Sequence, residues 1–302
     1  MRRKRQYDFL PRGVVCGTLT VGLLCGAWTW AQAQPGQQLT EPVYRVSNAK
    51  VDGNAQVAPH PLETALAMAR DGLRNIQENV HDYTAVMAKR ERVDGELSDY
   101  EYIFTKIRNE KTANGRVVVP FSIYMYFLKP ESFKGREVIY VRGQNDDKMI
   151  AHESPNSMLS KFGSIWLNPH GAMAMKGQRY PITEAGIETL IVRLIEKGTA
   201  DLQRGECDVK FYQNAKVQGR KCTMLEVTHP QQREYFEFHV ARIFIDDELN
   251  VPIRYSAWTW PDEPGRKLSD RELIEEYTYT QLKLNVGLTD ADFDPKNPQY
   301  NF

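Results

Sequence analysis

Six histidines, His60, His81, His152, His170, His229 and His239, are the first places to look for a general base or a zinc ligand, because imidazole titrates near neutrality and coordinates metals. They are scattered. No H-E-x-x-H or H-x-H spacing sets two of them on one face of a helix or strand, so no preorganised metal site is read and each is expected on a surface or a strand face. The alternating run Asp290-Ala291-Asp292-Phe293-Asp294 opens like a calcium loop, but its sixth position is Pro295 rather than Gly and its twelfth is Asn301 rather than the bidentate Glu. Turn and capping roles are expected for these carboxylates. A second cluster, Asp246-Asp247-Glu248, falls where two strands must turn and reads as a solvated hairpin tip. Nucleophile and phosphate motifs (G-x-S-x-G, a Walker loop, G-x-G-x-x-G) are missing from the sequence. No cofactor or metal is therefore expected, and the reading is non-enzymatic. A hydrolase whose site is assembled from distant residues, with Asp246, His239 or His229 as members, is kept as a second alternative.

The strongest chemical signal is apolar. Aromatic residues make up 11% of the chain and gather on strand-like runs. In several runs both alternating faces are apolar or aromatic, so either both faces are covered or one lines a cavity. Tyr124, Met125, Tyr126, Phe127, Val138, Tyr140, Phe236, Phe238, Trp258 and Trp260 are the candidates for an apolar ligand chamber between sheet and helices. The competing reading is ordinary core.

The elements that would position these residues follow from periodicity. Leu62, Leu66, Ala69, Leu73, Ile76 and Val80 recur at helical steps behind Pro61, predicting a helix over 62–80. The period then changes to two. Tyr83–Val93 and Glu96–Arg108 flank Asp94-Gly95, a strong hairpin signal. Strand-like runs follow at Phe121–Leu128, Arg136–Arg142 and Lys148–His152. After an irregular stretch from Glu153 to Tyr180 comes a second helix over 183–203, with Thr183 as N-cap. Five more strands are expected at Cys207–Gln213, Arg220–Thr228, Tyr235–Asp246, Pro252–Trp260 and Arg271–Asn285. Hairpin turns rather than βαβ spacing argue for an α+β domain over 61–302. Its core would be one large curved antiparallel sheet, an incomplete β-barrel of about ten strands, covered by two main helices.

The N-terminus predicts export. Arg2, Arg3, Lys4 and Arg5 precede an apolar run from Gly13 to Trp30 that ends at Ala31-Gln32-Ala33, so residues 1–33 read as a cleavable signal peptide. A retained N-terminal membrane anchor is the alternative, since the run is about long enough to span a bilayer. Residues 34–60, rich in Gln, Pro, Asn and Ala, read as a flexible leader. Cleavage removes five basic residues and one acidic residue from the 39 of each, leaving 34 against 38. That mildly acidic balance lacks the basic face nucleic-acid binding needs. Cys207 and Cys222 remain in the exported portion, where an oxidising compartment favours a disulfide. The hairpin register argues the other way: a two-residue turn at Val217-Gln218-Gly219-Arg220 sets Cys222 across from Ala215 and leaves Cys207 near Pro230, too far to bridge.

Three segments carry a family resemblance. They are Ile123-Tyr124-Met125-Tyr126-Phe127-Leu128-Lys129-Pro130, then Gly135-Arg136-Glu137-Val138-Ile139-Tyr140-Val141, and the ending Glu275-Glu276-Tyr277-Thr278-Tyr279 through Asn285-Val286-Gly287-Leu288-Thr289-Asp290 to Phe293. Together they resemble the bacterial family called domain of unknown function 1571, over about residues 62–302. More distantly, the order of elements is similar to periplasmic lipoprotein carriers of the LolA and LolB type. That resemblance implies a LolA-like incomplete barrel lidded by helices, sheltering an acyl chain or lipidated protein in the periplasm. The chain departs from the carriers at Glu110–Val119 and Glu153–Pro181, so no gating arginine is carried over, Arg108 being the nearest candidate. The expected partner is a lipid or lipoprotein, with an envelope protein docked on the same fold as the alternative, no nucleic acid, and no membrane span after cleavage.

Overall fold

The computed structural model describes residues 44–45 and 60–302, apart from residue 264. Its main sheet has thirteen strands. In chain order the strands are β1 (Tyr44–Arg45), β2 (Asp82–Val93), β3 (Glu96–Leu97), β4 (Glu101–Arg108), β5 (Lys111–Ala113), β6 (Arg116–Val119), β7 (Ser122–Lys129) and β8 (Glu137–Val141). They continue with β9 (Met149–His152), β10 (Ile165–Leu167), β11 (Asp208–Val217), β12 (Arg220–Thr228), β13 (Val240–Asp246), β14 (Val251–Trp258) and β15 (Leu273–Leu284). Across the sheet the order is β1-β11-β12-β13-β14-β15-β2-β4-β7-β8-β9-β10, with β3 paired to β2 and every pairing antiparallel. The sheet is open, ending at β1 and β10. Register shifts at Tyr102/Ile103, Phe244/Ile245, Ala257/Trp258 and Thr280/Lys283 mark bulges, which bend strands and increase their twist. The insertion at Glu110–Val119 is a separate hairpin, β5–β6.

One face of the sheet is covered by helices α1 (Pro61–Asn79) and α3 (Ile187–Arg204). The His60 side chain accepts from the Leu62 amide at 3.2 Å and Pro61 occupies the first turn, so α1 starts where the sequence places it. Its buried stripe is Leu62, Ala65, Leu66 and Ile76. The two helices approach closely at Gly198, where a Cβ would lie 3.0 Å from a Leu66 methyl. No helix among the described residues is long and apolar enough to cross a membrane.

The opposite, outer face is covered by the C-terminal segment. Phe293 and Tyr300 pack on Tyr124, Ile139, Val141 and Ile150, and the Tyr300 ring stacks on Tyr124 at 4.2 Å. This strap is tied down by polar groups. Asp82 accepts from the Gly287 and Leu288 amides at 3.1 Å each, and Asp292 caps the turn Asp290–Phe293 through Thr289. The alternating carboxylates therefore cap and brace, as turn chemistry predicts.

Several expectations change. The strand expected from Glu96 breaks at residues 98–100, because the Ser98 hydroxyl and amide bond back to Glu91 and close the hairpin early. The strand expected from Tyr235 starts only at Val240, since Phe236 folds back to stack on His229 at 3.8 Å. Helix α3 begins at Ile187: Thr183 lies in a short 3-10 turn, and Gly186, at φ 114°, takes the N-cap. Tyr44–Arg45 of the expected leader adds an edge strand to β11, while the rest of that leader before His60, and the signal peptide, lie outside the described residues. The disulfide is not formed. Cys222 stands opposite Ala215, and Cys207 precedes the start of β11, so the ladder holds the two apart as buried free thiols.

Candidate functional site

Between the helix-covered face of the sheet and the segment leading into α3 lies a chamber of about 1090 Å³. Strand alternation determines its floor, because every second residue points the same way. Met87 of β2, Ile103 of β4, Met125 and Phe127 of β7, Val138 of β8, Met149 and Ala151 of β9, and Tyr277 and Tyr279 of β15 all face it. The roof is the irregular stretch after β10, including α2 (Ala172–Met175), followed by the first turns of α3. The Tyr83 hydroxyl fixes where the roof meets the helix: it accepts from the Ile187 amide at 2.9 Å, and a Cβ on Gly186 would lie 3.1 Å from it.

Of the ten residues expected to line a ligand chamber, Met125, Phe127 and Val138 do so. Tyr124 and Tyr126 alternate with them on β7 and therefore belong to the outer face under the C-terminal strap. Tyr140 is fully buried core, its hydroxyl donating to Asp147 at 2.7 Å. Phe236 stacks on His229 and Phe238 lines a separate cavity of about 100 Å³ beneath the helices. Trp258 packs with Val240 and Leu273, and the Trp260 indole donates to the His229 carbonyl at 3.0 Å. Arg108 pairs with Asp290 and lies over Phe293 on the strap, away from the chamber.

The hydrolase candidates do not meet. His229 and His239 sit together before β13, whereas Asp246 ends that strand, taking the Arg220 guanidinium and the Glu248 and Leu249 amides. His229 is instead paired with the buried Asp201 of α3 at 3.1 Å. Among the described residues no group of His, Cys, Asp or Glu is placed to hold a metal ion. Both thiols are pushed up by burial, Cys207 to about 11 and Cys222 to about 12, which leaves them protonated and inert.

One end of the chamber is charged. In the ladder Glu91 stands opposite Glu275 and Lys89 opposite Glu101, all pointing inward. Like charges directly opposite weaken a sheet. Compensation comes from the roof: Arg179 donates to Glu275 at 3.0 Å and its amide to Glu91 at 3.1 Å, while the Tyr180 hydroxyl donates to Glu275 at 3.2 Å. The Tyr277 hydroxyl and Lys89 both donate to Glu91. Burial holds the Glu275 and Glu101 carboxyls above the ordinary glutamate range, opposed by Arg179 and Lys89 respectively. Burial, with Glu275 and Glu91 beside it, keeps the Tyr277 hydroxyl protonated as a donor. The aromatic count does not register these residues. Parity carries the missed signal: Lys89 and Glu91 share the face of Met87, and Glu275 shares that of Tyr277.

The chain is similar to solved structures at low identity. A DUF1329 family protein from Desulfovibrio piger is 14% identical, over 78% of this chain and 98% of that one, with a TM-score of 0.37. The MucA/MucB complex of Pseudomonas aeruginosa matches at 12% identity and a TM-score of 0.41, over 76% of this chain and 60% of that one. A LolA superfamily protein from Nitrosomonas europaea is 11% identical, over 75% and 97%, with a TM-score of 0.29. Curated proteins yield no sequence match. The family described as "Protein of unknown function (DUF1571)" matches residues 80–302, which takes in every strand from β2 on, and the chain belongs to that family.

Proposed function

We propose that this protein is a non-enzymatic, exported binding protein that shelters an acyl chain, free or attached to a lipidated protein, in the chamber between sheet and roof. The observation that carries the reading is the continuous apolar floor contributed by six strands to one cavity of about 1090 Å³, a size at the upper end of small-molecule sites. Burial of methylenes at about 0.8 kcal/mol each gives a twelve-carbon tail about 10 kcal/mol before ordering costs, so retention requires no catalytic group. The signal-peptide reading of residues 1–33 puts the site of action in the periplasm. Release requires the roof to part from the floor, and the Arg179 and Tyr180 contacts to Glu275 are the bonds that would break.

Native mass spectrometry with lipid extraction, on protein recovered after export, tests the proposal. A stoichiometric acyl-bearing passenger is the expected result. Folded protein that arrives empty and takes up no acyl probe would overturn it and move the weight to docking of an envelope protein.

A further inference from the structure

The charged end of the chamber has one acceptor that the fold does not use. Glu101 is 6% exposed at its side chain, lines the chamber, and its Oε2 makes no hydrogen bond. Lys89 Nζ is ion-paired with that oxygen at 3.7 Å, beyond hydrogen-bond distance, and two of its three N–H groups go to Glu91 and Gln178. The other nearby donors are directed to other acceptors. Arg179 and Tyr180 serve Glu275, Tyr277 serves Glu91 and Glu275, and Arg136 makes two bonds to Glu153. Glu91, Glu101 and Glu275 thus face two cations, Lys89 and Arg179, leaving one negative charge in excess among the buried groups, while the exposed Asp99 and Lys176 of the chamber lining offset one another. A buried carboxylate oxygen without a donor is costly, and native proteins rarely leave one.

Building on the acyl-chamber reading, we infer that the Glu101 end is a head-group site for an amphiphile bearing a primary ammonium, whose N–H groups satisfy Glu101 Oε2 while its tail runs over Ile103 and Met87. An ammonium supplies both the missing donor and the missing charge. A free fatty acid supplies neither, since its carboxylate would enter a region already one negative charge in excess. Ile103 follows Glu101 on the same face of β4, so head and tail sites are continuous.

Titration calorimetry of the exported protein with dodecylammonium and with dodecanoate at pH 7, each below its micellar concentration, tests this. Dodecylammonium is expected to bind about tenfold or more tightly, the value of one charge-assisted hydrogen bond, and the two probes are expected to displace one another. Glu101→Gln is expected to bring the two affinities within about twofold. The wild-type comparison stands without any variant. Equal affinities, or tighter dodecanoate, would overturn the head-group site while leaving the acyl chamber intact. Binding of neither probe would remove both. A second arm compares single-chain lysolipids carrying ethanolamine or glycerol heads: preference for ethanolamine assigns the ammonium to a lipid head group, and selectivity confined to dodecylammonium assigns it to a free amine.

Discussion

Two buried glutamates on opposite faces of the same sheet make an instructive contrast. Glu137 of β8 faces the outer side, where the C-terminal strap supplies its donors: the Asn301 amide and side chain both bond to it, and Tyr124 donates from the neighbouring strand at 3.1 Å. Glu101 of β4 faces the chamber, and one of its oxygens makes no hydrogen bond, its nearest cation being Lys89 at 3.7 Å. Burial is nearly the same, 1% and 5% for the whole residues. The difference teaches that, for these two carboxylates, the covering strap supplies the hydrogen bonds that the cavity side leaves unmade.

The largest expected effect breaks the outer side of that comparison. Tyr300→Ala removes the ring stacked on Tyr124, the hydroxyl that accepts from Lys106, and the hydroxyl's bond to the Asp292 carbonyl. A loss of about 3 kcal/mol in urea unfolding is expected. Glu137→Gln keeps the shape but loses the charge that strengthens three bonds, with an expected loss of about 2 kcal/mol by the same assay. Asp292→Asn is expected to cost about 1 kcal/mol, because its partner Lys106 is only partly buried. Lys106 and the Thr289 amide outweigh burial and hold the Asp292 carboxyl below its ordinary value. Its contribution is therefore present above about pH 3.8 and should fade as pH falls through the lowered value. Glu101→Gln is the smallest effect and the opposite one, an expected gain below about 1 kcal/mol at pH 7. Burial raises this carboxyl, so the folded state holds its proton to higher pH than the unfolded state does. Wild-type stability from this group is thus intact below about pH 4.5 and lost as pH rises toward the raised value, and the variant's advantage should grow over that interval. A Glu101→Gln variant less stable than wild type at pH 7 would erase the contrast between the faces.

Much of the fold is legible in the sequence because it rests on local rules. Pro61 with its heptad-like stripe, Asp94-Gly95, and the alternation through β7 and β12 each set an element close to its observed bounds. The failures share a cause. Phe236 and Ser98 end or delay strands through contacts with His229 and Glu91, each seven residues back across a turn, and alternation of side chains does not register such a contact. The site is legible only in part, for a related reason. Composition identifies aromatic strands, but only the pairing of β2 with β4 and β15 shows which parity faces the chamber, so Tyr124 and Trp258 are as conspicuous in sequence as Phe127 while serving the other side. The glutamates of the charged end are ordinary in sequence. They become exceptional once Glu91 and Glu275 meet across a ladder.

That ladder also sets the order of assembly. Strands β2 through β10 and β11 through β15 form two halves, joined in the sheet only where the first long strand meets the last. Each half can zip by short-range hairpins, whereas β2·β15 is the most non-local pairing of the main sheet and so the slowest to form. A chain delivered N-terminus first would hold two half-sheets with open edges until β15 arrives. The step that then closes them is the one that forces Glu91 against Glu275, so the chamber's charged end, begun by Lys89 and Glu101 across β2 and β4, is completed at the moment of closure.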